Sequence, residues 1–172
     1  MSLEWIIFLC SLTIDVAEHK QAIREFLARP PFMKRNVPDD ILALFVSALT
    51  HDSYSNEYNA VASYERLEFL GDAVIELIVC EQIYRTTNDP EGNMTIMKQD
   101  IVANRKMSSK ILEKGLDIDS ILRVGNGHID KGTKTNILEE NMRADAFEAL
   151  IGATYLSYGM DEAKRIVFEI LL

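Results

Sequence analysis

SYERLEFLGDAVIELIVCEQIY, residues Ser63 to Tyr84, is the longest patterned segment of the chain and reads as a helix, stopped by Asn88-Asp89-Pro90-Glu91-Gly92. Within it Glu68 and Asp72 stand four residues apart, which puts them on one helix face about a turn apart. Two like charges at that spacing repel each other. A plain solvated helix would gain by pairing one of them with a lysine, so a shared cation accounts for leaving them together. A solvated acidic face is the alternative, since such pairs are common on charged helices.

A second acid pair, Asp145 and Glu148, is set in a helix expected over Ile137 to Tyr158, and its company is Ala144, Ala146, Phe147, Ala149, Leu150 and Ile151. A carboxylate buried among such residues is costly unless a metal or a cationic partner compensates it. Two acids on each of two facing helices make four oxygen donors, suited to a hard octahedral ion such as magnesium. Gly71 and Gly152 would let those helices approach closely, and ordinary small-residue packing would use them equally well.

Outward from these two helices, the remaining segments also carry helical spacing. Glu4 to Ala28 is expected to be a helix that breaks before Pro30-Pro31, and Pro38 opens another that ends near His51. Asp52 to Asn59 reads as a polar connection. Thr95 to Glu113 reads as one helix closing at Gly115, with a short piece at Ser120 to Val124 and a last helix from Asp161 to Leu172. No alternation long enough for a strand and no internal repeat occurs, so the expected class is all-α, with one core in 172 residues.

Composition narrows the setting. The chain is 48% hydrophobic with 8 glycines and 4 prolines, which suits a compact helical protein without a low-complexity tail. Cys10 and Cys80 form no metal spacing and no disulfide framework, which points to a reducing, cytoplasmic location. The apolar run within residues 1–14 lacks a positive leader and is interrupted by Glu4, so it reads as a helix face. It is also shorter than the ~20 apolar residues a membrane span needs, so no membrane is expected as a partner. The net charge of −9 runs against nucleic-acid binding unless many of the acids gather around cations, because a cation-loaded carboxylate cluster attracts phosphate.

Three stretches together resemble a known family. Glu65 to Val74, ERLEFLGDAV, is similar to the ribonuclease III signature. Ala144 to Tyr155, ADAFEALIGATY, resembles that family's second acidic motif, and Ala48 to Tyr54, ALTHDSY, resembles its entry segment. The motifs occur in the family's order over about Pro38 to Leu172. The resemblance implies a ribonuclease III endonuclease domain-like helical bundle over residues 37–172, preceded by an N-terminal helical extension over residues 1–36 that matches no motif of the family.

The same resemblance implies an endoribonuclease specific for double-stranded RNA. It would hydrolyse phosphodiesters with Mg2+, or Mn2+ in its place, activating a water, and leave 5′-phosphate and 3′-hydroxyl ends with short 3′ overhangs. Glu68, Asp72, Asp145 and Glu148 would be the catalytic metal ligands. Glu65 and Glu91 match acids of the family's active-site valley. Phe69 matches the aromatic that the family inserts into the partner subunit of a homodimer, where an ordinary core phenylalanine is the alternative. Lys98, Arg105, Lys106, Lys131 and Lys134 are candidate RNA contacts, although surface lysines are ordinary. His51, with no second histidine at ligand spacing, is expected to be structural, near a helix end.

The chain departs from the family in having Lys98 where arginine is usual, and Asn141, Met142 and Arg143 where a serine and an apolar pair are usual. No double-stranded-RNA-binding domain follows Leu172, so duplex recognition is expected to rest on the dimer surface and partners, or on a module outside this sequence. A non-catalytic RNA-binding protein of this fold, or a helical metalloenzyme acting on small phosphorylated molecules, are the rival classes. The second would need an enclosed pocket and an acid-histidine pattern that the sequence lacks.

Overall fold

A computed structural model of the chain describes residues 16–58 and 62–172. The apolar run within residues 1–14, Cys10 and the start of the first expected helix lie outside them. The fold is all-α. Its elements are α1 (16–27), α2 (Asp39–Ala48), α3 (Asp52–Tyr58), α4 (Glu65–Thr86), α5 (Glu91–Ile101), α6 (Asn104–Glu113), a 3-10 turn at Asn126–His128, α7 (Glu140–Tyr158) and α8 (Met160–Ile170). Among the described residues there is no named strand, only isolated bridges pairing Thr50 with Arg123 and Ile129 with Asn136. No helix among them is long and apolar enough to cross a membrane.

Helix α7 is the centre of the molecule. From Met142 to Thr154 every residue except Asp145 is buried, a run that only a helix enclosed on all sides can carry. α2, α4, α6 and α8 pack around it. The buried positions of α4, Leu67, Gly71, Val74, Ile75, Ile78, Val79 and Ile83, recur at three- and four-residue steps and make one stripe against α7. α5 buries none of its residues and lies on the outer side of α4.

The N-terminal segment shares this core. Ile23, Leu27 and Phe32 are fully or almost fully buried with Phe45 of α2. An ion pair from Lys34 to Glu162 at 2.9 Å, and a hydrogen bond from the Arg165 guanidinium to the Pro31 carbonyl, tie residues 31–34 to α8.

Four segments differ from their sequence reading. Asp52 to Tyr58 is helix, not a polar connection. His51 starts it: its carbonyl accepts from the Tyr54 and Ser55 amides, and its Nδ1 accepts from the Ser53 amide at 3.1 Å. Only Tyr54 of that helix is buried, so its apolar signal is too thin to see. Thr95 to Glu113 is two helices, broken where Ala103 is extended. The break lets α6 bury Met107 and Ile111 against α7 while α5 stays on α4, and no proline or glycine marks it. Ser120 to Val124 is a turn leading into the Arg123 bridge, and α7 begins at Glu140 because the Ile137 amide is held by the His128 carbonyl in the preceding loop.

Candidate metal centre

The site forms where α4 crosses α7, and two glycines set how closely they cross. A Cβ on Gly71 would lie 1.8 Å from the Glu148 carbonyl oxygen, and one on Gly152 would lie 2.3 Å from the Leu67 carbonyl oxygen. No side chain fits at either place, so the backbones touch. The close packing brings the acidic face of α4 onto the acidic turn of α7. Carboxylate oxygens of Glu68, Asp145 and Glu148 all lie within 4.8 Å of one another. Glu148 is buried, Glu68 and Asp145 are half-buried, and Asp72 stands exposed at the rim, outside that three-acid set but close enough to act on Glu68 and Glu148.

Among the described residues, no cation compensates the charges of Glu68, Asp145 and Glu148. Burial first, then Asp72, Asp145, Glu68 and Glu76, push the Glu148 carboxyl up to about 8. Burial and the neighbouring acids Asp145, Glu65, Asp72 and Asp52 push Glu68 up to about 7, and burial raises Asp145. Asp72 is raised by burial and by Glu76, and Lys98 offsets part of this. Among the described residues, every charged neighbour acting on Glu68 and Glu148 is an acid, so a divalent cation would meet hard oxygen donors that no cationic side chain there neutralises. Three carboxylates gathered this closely suit a hard divalent cation by their chemistry.

The comparisons with known proteins bear on what such a site is. The family described as Ribonuclease-III-like matches residues 42–172. The chain belongs to the ribonuclease III family. "Ribonuclease 3" of Streptomyces coelicolor is 39% identical over 129 residues, covering 74% of this chain and 45% of that protein. "Ribonuclease 3" of Oceanobacillus iheyensis is 43% identical over 122 residues, covering 69% and 51%. The chain therefore spans about half the length of the curated relatives it matches. Among solved structures, the nuclease domain of ribonuclease III from Campylobacter jejuni, whose description notes a flexible region involved in dimer formation, matches with a TM-score of 0.65 at 28% identity, covering 79% of this chain and 88% of that one.

In this family member the remaining sequence candidates fall into different places. Glu65 is exposed on the flank of the cluster, accepting a hydrogen bond from Ser63, and its charge reaches Glu68. Glu91 is not brought to the cluster: it is exposed at the start of α5, bonded to Thr95, and lines a recess of about 310 Å³ with Cys80, Ile83, Tyr84, Met94, Thr95 and Lys98. None of the four acids lines that recess. Phe69 is 81% exposed and so is not a core residue. Lys98 pairs with Glu76 at 2.7 Å beside Asp72. Arg105, Lys106, Lys131 and Lys134 are exposed, the last two on a loop fastened by Asp130, which accepts from the Gly132 and Thr133 amides.

Sequence reasoning missed Glu76, although it continues the four-residue row of Glu68 and Asp72. It also missed Tyr64, almost fully buried, whose phenol is kept protonated by burial and by Asp145 and Glu68.

Proposed function

We propose that this chain is the endonuclease domain of an enzyme that cuts double-stranded RNA with a divalent cation held by Glu68, Asp145 and Glu148, with Asp72 joining from the rim. The observation that carries the reading is the three-carboxylate cluster at a glycine-sealed helix crossing, with no cationic side chain among the described residues to balance it. A bound magnesium, or manganese in its place, supplies Lewis-acid stabilisation of the scissile phosphate and makes a nucleophile of water at neutral pH. The chain's own residues do the rest. Burial and the neighbouring acids keep Glu148 protonated near neutrality, so it would have to lose that proton to hold a cation, and Tyr64 stays a neutral phenol beside the acids. Asp72 stands at the exposed rim, from which water and substrate would reach the buried acids. The products would be 5′-phosphate and 3′-hydroxyl ends with short 3′ overhangs.

An open surface site suits a duplex better than a small molecule. Recognition would be of A-form shape and backbone, since the narrow major groove hides base edges. Lys131, Lys134 and Arg105 are exposed cations for phosphate, and Lys98 reaches the rim of the cluster itself. Two copies would be needed to cut two strands. The 81% exposure of Phe69, with Leu77 and Tyr84 also exposed along α4, supports a homodimer in which this apolar edge is covered. A cytoplasmic location is part of the same reading.

The test is incubation of a long RNA duplex at low salt with magnesium, with manganese, and with a chelator. Short staggered duplexes carrying 5′-phosphates in the metal lanes alone are the expected result. A chain that binds duplex and cuts with neither metal would be a non-catalytic member of the family.

A further inference from the structure

Helix α6 begins at Asn104 after Ala103, which gives no side-chain cap, and Asn104 turns its amide toward α7. Its Nδ2 donates to Asn141 Oδ1 at 3.3 Å and to Asp145 Oδ1 at 3.4 Å, one hydrogen for each of two acceptors a helical turn apart. The reversed amide would set its oxygen against the Asp145 carboxylate, so the donating orientation is the one the charges require. One turn further along α6, Ser108 accepts from Nη1 of the buried Arg143 at 2.7 Å, and the same guanidinium grips Asp119 through Nε at 2.6 Å. These links hold the seam between α6 and α7 against sliding. Among the described residues, Asn104 is the one hydrogen-bond donor to the three-acid cluster.

We propose that Asn104 is a positioning residue for Asp145: its amide fixes the rotation of that carboxylate, so that Asp145 meets a cation shared with Glu68 and Glu148 already oriented. This rests on reading the cluster as a cation site. A neutral donor suits the task better than a cationic one, because it orients an acid without competing for its charge. A lysine in its place would hold Asp145 as an ion pair and oppose cation binding.

The experiment is calorimetric titration of the purified chain with manganese(II) alone, at a temperature well below unfolding, for the parent, Asn104→Ala and Asn141→Ala. Outer partners of metal ligands typically change affinity by about 10- to 100-fold. Asn104→Ala is therefore expected to bind manganese at least about tenfold more weakly. Asn141→Ala, which removes the acceptor that is not on the cluster, should lose less. Parent affinity in Asn104→Ala overturns the proposal, and so do equal losses in both variants, which would mean that the seam acts through packing. No saturable binding by the parent overturns the cation-site reading and this proposal with it.

Discussion

Gly71→Ala asks whether the close crossing of α4 and α7 makes the site. The added Cβ would sit 1.8 Å from the Glu148 carbonyl oxygen and 3.0 Å from the Gly152 nitrogen, both backbone atoms that cannot rotate away. Restoring ordinary contact needs the helices to part by roughly 1.5 Å. Overpacking of this kind costs up to about 3 kcal/mol or more, while alanine's better helix propensity returns about 1 kcal/mol, so a net loss of about 2 kcal/mol or more is expected. The functional loss should be greater than the stability loss suggests, because Glu68 and Asp72 move away from Asp145 and Glu148 and such sites tolerate only about 0.5 Å. Urea denaturation measures the first effect and duplex cleavage under conditions where the variant is folded measures the second. Gly92→Ala is the control: nothing lies within 4 Å of its Cβ, so it should be neutral or stabilising by up to about 1 kcal/mol. If Gly71→Ala matched Gly92→Ala in stability and cut duplex normally, the crossing would not be what assembles the acids.

Two further outcomes are expected. Without metal, the chain should lose stability as pH rises from the ordinary carboxyl range toward about 8, because folded Glu68 and Glu148 hold protons up to about 7 and about 8 that the unfolded chain has released. Glu162, lowered to about 2, contributes stability that is lost only below the ordinary carboxyl range, and His51, lowered by burial, pulls weakly the other way near its own titration. Urea midpoints at pH 5.5 and 8 with chelator should therefore fall with pH, and saturating magnesium should flatten the trend; a rise with pH in chelator would refute it. Phe69→Ala should change monomer stability by no more than about 0.5 kcal/mol, because the ring is exposed, yet weaken self-association by about 2 kcal/mol or more if it anchors a dimer. Sedimentation equilibrium would read this, and an unchanged dimer constant would remove Phe69 from the interface.

The sequence was legible where burial and chemistry leave periodic marks. The apolar run around Asp145 and Glu148 foretold an enclosed helix, and α7 is that helix. The glycines of the LGD and LIGA stretches foretold close approach, and the backbones do touch there. What stayed hidden depended on tertiary partners. α3 buries only Tyr54 and is started by a histidine whose ring accepts a hydrogen bond, a signal that composition does not carry. The break before Asn104 has no glycine or proline and exists because α5 and α6 pack on different helices. Arg143 stands where the family usually has an apolar residue, and it is buried because Asp119 and Ser108, from elsewhere in the chain, satisfy it. Glu91 matches an acid of the family's active-site valley, and within one chain it lines the recess beside Lys98 and Tyr84.

The most direct test of the account is magnesium-dependent cleavage of a long RNA duplex at pH 8 by Glu148→Gln, which keeps the shape of the side chain and removes its charge. The variant should fold at least as stably as the metal-free parent, since a buried uncompensated carboxylate is gone, and should no longer cut. Cutting by the folded variant at close to the parent's rate would contradict the claim that these acids are a cation site.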